Sequence, residues 1–268
     1  MSKAELAVSS PQALAVSDEL LAQIAEVKVD GFENVTAEDL SLTYLQILQD
    51  GSPQCKKKDE KYLPHAEPGQ FHNSINNATY DTLAVVPVGY TKSYVEWVDR
   101  NKGGGFVGKY SADHPVVLNA QKVGYDLITE NGNKLVETAE HFVLCLPEGE
   151  APFVAIFPLK STQLKHSKRW LTDMVSRTIT LPDGTVKRVP SFFQKYLLST
   201  RLESNNSGAW YSLMGIEFQG LVDGAIAQQA KSIAESFGEV ASKAATAYEK
   251  AAPIGHTNVQ DAVAASME

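Results

Sequence analysis

Residues 152–174 read PFVAIFPLKSTQLKHSKRWLTDM, and we expect this stretch to decide the fold. Its first half, from Phe153 to Leu159, is apolar and rich in branched and aromatic side chains, which is typical of a buried strand. Its second half is basic and ends close to an aromatic residue, Trp170. The stretch therefore predicts a buried strand that leads directly into a basic, aromatic segment at the surface.

The basic half of this stretch has the spacing of a helix, and Ser161 is a candidate for its cap. The apolar positions of the predicted helix are Leu164, Trp170, Leu171 and Met174. Its cations are spaced by three and four residues and so share one polar side. They are Lys165, Lys168 and Arg169.

Charge is distributed unevenly along the 268 residues, whose formal net charge is −8. Residues 1–50 hold nine acidic and two basic side chains, whereas residues 160–201 hold nine basic and two acidic ones. Local potential decides whether a polyanion binds, so the basic region predicts an anion-binding surface. A solvated lysine-rich face is the alternative interpretation.

The flanking sequence predicts a strand-rich core. Residues 140–146 and 152–159 are apolar strands joined by a short acidic turn, which we expect at the centre of a sheet. Asn131-Gly132-Asn133 predicts a hairpin turn. Residues 83–98 predict a pair of strands with a bulge or bend at Pro87 and Gly89. Residues 40–48, LSLTYLQIL, fit both a helix and a strand.

Three regions follow from composition. Residues 1–35 form a predicted mobile, acidic N-terminal arm, and residues 36–222 form the β-rich core domain. Residues 223–268 are predicted to be an Ala-rich helix with a flexible tail. One apolar face of this helix is marked by Ile226, Ala230, Ile233 and Phe237.

The sequence lacks the patterns of common catalytic and metal sites. It contains no HExxH, no GxSxG and no Cys/His cluster, and Cys55 and Cys145 are far apart. The triple glycine at residues 103–105 is not followed by the Lys-Ser/Thr of a phosphate loop. We therefore predict a protein that is not an enzyme and needs no cofactor or metal. A site assembled from distant carboxylates stays an alternative.

Cations interleaved with aromatic residues predict binding of single-stranded nucleic acid, because phosphates need positive charge and bases need exposed rings. The expected stacking platforms are Tyr94, Trp97, Phe106 and Trp170. A weaker stretch runs from Arg188 to Tyr196, with Trp210 and Tyr211. The full set of candidate nucleic-acid-binding residues is Lys92, Tyr94, Trp97, Arg100, Lys102, Phe106, Lys109, Lys160, Lys165, Lys168, Arg169 and Trp170.

Four features of the sequence suggest a family: the β-rich centre, the segment SKRW at residues 167–170, the loop GGGFVG at residues 103–108 and the terminal arms. In these features the chain resembles single-stranded DNA-binding replication proteins of tailed bacteriophages. The resemblance covers residues 36–222. It implies an α+β, β-rich fold, either an oligonucleotide-binding-like barrel or a strongly curved antiparallel sheet, with added helices and a C-terminal helix. It also implies contact with replisome proteins through an acidic C-terminal tail. Here the last eighteen residues hold only two acids, Asp261 and Glu268.

We therefore expect largely sequence-independent binding of single-stranded DNA, in phage-like replication or recombination, with a steep dependence on salt. The N-terminus has no apolar core of a secretory signal, and no apolar run is long enough to span a membrane. These features predict a protein of the host cytoplasm that does not bind membranes. The alternative is an oligomeric phage structural or assembly protein without nucleic-acid binding, held together by the Ala-rich helix.

Overall fold

The computed structural model describes residues 43–206 and 208–236, with Arg100 as backbone only. The predicted N-terminal arm, Phe237 and the C-terminal tail lie outside the described residues. The helices and strands are β1 (Leu45–Ile47), β2 (Phe71–Asn73), β3 (Thr79–Tyr80), β4 (Thr82–Trp97), β5 (Phe106–Ser111), α1 (Pro115–Leu118), β6 (Gln121–Val123), β7 (Asp126–Ile128), β8 (Lys134–Leu146), β9 (Phe153–Lys160), α2 (Leu164–Ser176), β10 (Thr178–Thr180), β11 (Val186–Arg188), β12 (Gln194–Asn205), β13 (Gly208–Leu221) and α3, which spans 224–236 of the described residues.

Strands β4 and β8 form a long antiparallel pair, from Ala84 opposite Leu146 to Trp97 opposite Lys134. We call this pair the spine. At one end, β12 and β13 extend the sheet beyond β4, and β9 extends it beyond β8. At the other end, which we call the distal end, β5 pairs with β4, and β7 and β6 follow β8. The spine thus joins two groups of strands into one sheet.

Several sequence predictions can be compared with these strands. The central apolar pair is confirmed as β8 and β9, and the hairpin at residues 131–133 joins β7 to β8. The prediction of two strands at residues 83–98 is wrong, because a single strand, β4, spans them. A shift in register between Pro87 and Gly89 confirms the predicted bulge. Residues 45–47, which the sequence left undecided, form a strand.

The α+β, β-rich class with antiparallel sheets and added helices is confirmed. Within the described residues, however, no strand pairing closes the large sheet into a barrel, since its order runs openly from β13 to β6. Register shifts occur in β4 and β12. Bulges of this kind bend a strand and increase its twist, which favours a curved open sheet over a flat one.

Among the described residues, a helix packs on each face of the large sheet, and the small sheet of β1, β2 and β3 also packs on one of these faces. Alternate residues along a strand point to opposite faces. Val85 and Phe157 point to one face, where they share a core with Trp170 of α2. Leu144 points to the other face, where Ala230 of α3 packs. We call these the α2 face and the α3 face. The predicted Ala-rich helix is confirmed for its described part, and its apolar side is occupied by the chain's own core.

The outer edge of β13 is covered by two side-chain amides. The Gln49 amide donates to the carbonyl of Tyr211 at 2.9 Å and accepts from its N–H at 2.7 Å. The Gln163 amide donates to the same carbonyl at 3.0 Å and accepts from the N–H of Leu213 at 3.0 Å. These bonds replace those that a neighbouring strand would make.

Candidate functional site

An open groove of about 470 Å³ lies between the distal end of the spine and the beginning of α2. Three aromatic residues line it: Tyr94 from β4, Tyr125 from the turn between β6 and β7, and Trp210 from β13. We call it the aromatic groove. The Tyr125 side chain is fully exposed, while Tyr94 and Trp210 are half-buried. Residues far apart in sequence therefore bring three rings to one concave surface.

Two polar atoms in the wall of this groove are buried without a hydrogen-bond partner among the described residues. They are the indole nitrogen of Trp210 and the hydroxyl of Thr162. A buried donor left unpaired costs about 1–3 kcal/mol, and such groups are rare in folded proteins. Among the described residues, two of the seven buried side-chain atoms without a partner thus lie in the wall of this one groove.

Ser161, also in the wall of the groove, has a strained backbone with φ of +50°. It begins the 3-10 turn Ser161–Gln163 that joins β9 to α2. The prediction that Ser161 caps the helix is wrong, because Gln163 occupies the cap position of α2 and no side-chain cap bond forms. Left-handed backbone at a residue other than glycine costs about 1–3 kcal/mol and is concentrated at functional sites.

The distal wall of the groove is held by a buried carboxylate. Glu96 is 2% exposed. It accepts hydrogen bonds from the Tyr110 hydroxyl at 2.8 Å, the Asn133 amide at 2.7 Å and the Thr129 hydroxyl at 3.2 Å. Burial and the bond to Glu96 raise the pKa of Tyr110 to about 12. One side chain thus ties β4, β5 and the β7–β8 turn together.

The exposed side of α2 begins at this groove and carries the predicted cations. Leu164 lies in the groove wall, and Lys165, Lys168 and Arg169 follow on the exposed side. We call these three residues the basic stripe. Lys168 and Arg169 form no ion pair with another described residue. Lys165 does, because its ammonium lies 2.5 Å from a carboxylate oxygen of Glu203.

Glu203 is the acceptor of a small network beside the stripe. Ser212 donates to its second carboxylate oxygen, and the His166 ring lies 3.5 Å from that oxygen. Burial by itself raises the pKa of this carboxyl. The bonds from Lys165, Ser212 and His166 outweigh burial and lower the pKa of Glu203 to about 2. The network holds α2 against β12 and β13. It also neutralises the charge of Lys165, one of the three cations of the basic stripe.

The structure brings only some of the sequence-predicted residues to this site. Tyr94 lines the groove, and Lys92 lies on the same face, paired with Glu137 of the groove wall at 2.9 Å. Register places Trp97, Phe106, Lys109 and Lys160 on the α3 face instead. The Lys109 ammonium is bound to the buried Glu140 at 2.6 Å. Lys102 is exposed in the turn that precedes β5, and the Arg100 side chain lies outside the described residues.

The interpretation of Trp170 as a stacking platform is wrong. Its ring is 0% exposed, stacks on His141 at 4.6 Å between centroids, and meets Tyr196 edge-on at 5.8 Å. Burial lowers the pKa of His141 to about 3, so the ring that stacks on the indole is neutral at ordinary pH. Trp170 is therefore the apolar anchor of α2, and no base can reach it.

Tyr125 is not among the residues predicted from the sequence to bind nucleic acid. Trp210 is named only with the weaker candidate stretch, which runs from Arg188 to Tyr196. The signal for Tyr125 is local: it follows Gly124 in a tight turn between two short strands, where an aromatic side chain has nothing to pack against. No local signal places Trp210 beside Tyr94, since they belong to strands that do not pair with each other.

A protein-family model described as Pam3 phage gp34-like protein matches residues 13–243. This match spans most of the sequence. The chain belongs to the Pam3 phage gp34-like family. The family supports the predicted phage origin, and its description mentions neither replication nor DNA binding. No curated protein and no solved structure matches this member of the family.

Three further features of this gp34-like chain concern metal ions, membranes and disulfides. Within residues 43–206 and 208–236, no three His, Cys, Asp or Glu side chains are grouped so as to hold a metal ion. In the same part of the chain, every helix is too short or too polar to cross a membrane. Cys55 and Cys145 are both free thiols.

Proposed function

We propose that this phage protein binds single-stranded DNA, with bases stacked in the aromatic groove and phosphates held by the basic stripe. The observation that carries the proposal is the meeting of Tyr94, Tyr125 and Trp210 in one open groove at the beginning of the basic helix. Stacking on aromatic side chains is the usual means of holding unpaired bases, and it tolerates every sequence.

The size and chemistry of the groove suit this ligand. At about 470 Å³ it falls within the range of small-molecule sites, and it is open rather than enclosed. The unpaired Trp210 nitrogen needs an acceptor, and the Thr162 hydroxyl accepts or donates. Base edges offer both kinds of group.

The charges of the described residues predict a gentler salt dependence than the sequence alone suggested. Residues 43–236 contain 20 basic and 20 acidic side chains, so this part of the chain has no net charge. Lys92, Lys165 and Lys109 are already paired with carboxylates. Two cations of the stripe remain without such a partner among the described residues, so we expect a log–log salt slope of about −1.4 for a single strand.

The test is a titration of a fluorescently labelled oligothymidine, followed by anisotropy at low salt. Tyr125→Ala removes a fully exposed ring, so it leaves the fold intact while removing one stacking surface. We expect its affinity to fall by about 5- to 150-fold, since one stacked base contributes about 1–3 kcal/mol. Val123→Ala is the matched control, because Val123 is exposed in the same hairpin and does not line the groove. Equal affinities of the two variants, or no binding by the unmodified protein, would refute the proposal.

A second candidate function is assembly with other protein chains. The observation that favours it is the exposure of large apolar side chains at the distal end, among them Val107, Leu118 and Val123. Exposed apolar groups that lie close together mark contact surfaces. Replacing Leu118 and Val123 by Ser would then dissociate an oligomer detected by light scattering. An unchanged mass for this variant would exclude a distal assembly surface.

A further inference from the structure

A second groove, of about 420 Å³, lies at the other end of α2. Its wall includes Ser176 and Arg177 at the end of the helix, Ile179 of β10, and Phe218 and Leu221 of β13. We call it the Arg177 groove. Ile179 and Leu221 are exposed apolar side chains, so part of this surface is open to a ligand.

Arg177 is fixed in position by its neighbours. Its guanidinium binds both carboxylate oxygens of Asp173 at 2.8 Å and lies 3.1 Å from the Tyr196 hydroxyl. The guanidinium carbon lies 3.6 Å from the centroid of the Phe218 ring. Asp173 neutralises the charge of Arg177, but the guanidinium stays a rigid plane. Such planes, like aromatic rings, are surfaces on which unpaired bases stack.

The exposed side of α2 connects the two grooves. Lys165, Arg169, Thr172 and Ser176 are spaced by four, three and four residues, so they lie along one side of the helix. All four are exposed. The thirteen residues of α2 span about 20 Å, which corresponds to about six nucleotides at a stacked spacing of about 3.4 Å. An exposed path of this length, with cations in its first half and hydroxyl groups in its second, therefore leads from the aromatic groove to the Arg177 groove.

The hairpin of β10 and β11 adds a further cation to this path. Lys187 is exposed and lies directly opposite Ile179 in the ladder, so the two side chains share a face. Ile179 lines the Arg177 groove, and Lys187 is therefore placed at its margin.

We infer that one DNA strand occupies both grooves at once, with its phosphates following the basic stripe between them. This inference rests on the proposed function and adds a second contact site to it, formed by Arg177, Ile179, Phe218 and Leu221. Two linked contacts reinforce each other only when a ligand is long enough to reach both. Affinity should therefore rise sharply with the length of the strand.

The experiment compares oligothymidines of about four and about twelve nucleotides, which reach one groove and both grooves respectively. Ile179→Glu places a negative charge in the Arg177 groove. Val186→Glu is the matched control, since Val186 lies opposite Thr180 on the other face of the same hairpin and is also exposed to solvent. Leu221→Glu tests the groove from a different strand, and circular dichroism checks that each variant is folded.

We expect Ile179→Glu and Leu221→Glu to weaken binding of the long oligonucleotide by about tenfold and to leave the short one unchanged. Val186→Glu should bind both as the unmodified protein does. If Ile179→Glu and Val186→Glu bind the long strand equally, the inference is overturned while the aromatic groove stands. If the unmodified protein binds neither length, the proposed function fails and the inference falls with it.

Discussion

Replacing Glu96 by Ala should destabilise the distal end of the sheet by about 3 kcal/mol. The carboxylate is 2% exposed and is the shared acceptor for the hydroxyls of Tyr110 and Thr129 and the amide of Asn133. A buried donor that loses its partner costs about 1–3 kcal/mol. Thr129 is buried and bears this cost in full, whereas Tyr110 and Asn133 are half-buried and recover part of it from water.

Urea unfolding followed by tryptophan fluorescence measures this effect, since Trp97 is the residue next to Glu96 in β4. Glu217→Ala is the control, because Glu217 is exposed on β13, and it should change the free energy of unfolding by less than about 0.5 kcal/mol. Hydrogen exchange should show that protection is lost first in β5 and the β7–β8 turn. A loss of less than about 1 kcal/mol for Glu96→Ala would refute the view that this carboxylate holds the distal wall.

Two further predictions concern groups beside the groove. The pKa of Glu203 is lowered to about 2 from its ordinary 4.5, so the ionised carboxylate stabilises the fold above about pH 5 and this contribution is lost as the pH falls towards 2. The difference in melting temperature between the unmodified protein and Glu203→Gln should therefore shrink as the pH falls from about 5 to about 2. A difference that does not change with pH would contradict the view that the bonds from Lys165, Ser212 and His166 stabilise the ionised carboxylate. Ser161→Gly relieves the positive φ and should stabilise the protein by about 1 kcal/mol in urea unfolding, and a destabilised variant would show that Ser161 is not strained.

The strands and helices could largely be predicted from local pattern. The alternation and turn residues around 131–133 and 147–151 define hairpins whose partners are neighbours in sequence. The error at residues 83–98 has a physical cause: Pro87 and Gly89 look like a break, but a bulge accommodates both within one continuous strand. Local sequence pattern could not predict whether the sheet closes into a barrel, because closure depends on pairing between the first and last strands.

The candidate site could be predicted only in part, because it depends on long-range pairing. The cations of α2 were visible as a helical stripe, and their exposure follows from it. Trp170 fits the same helix equally well as an exposed or a buried residue, and only the position of His141 on β8 decides between them. The meeting of Tyr94, Tyr125 and Trp210 depends on the order of strands in the sheet, which no short stretch contains.

The amides of Gln49 and Gln163 that cover the edge of β13 have a consequence for how copies of the protein meet at high concentration. An uncovered strand edge recruits the edges of other copies, and crowding turns that attraction into insoluble aggregates. Here the N–H groups of Tyr211 and Leu213 are already bonded to side chains that a second chain cannot displace without breaking Gln49 and Gln163 from their partners. Trp210 lines the aromatic groove and lies directly before this protected segment, so the two amides cover a strand edge that adjoins the groove.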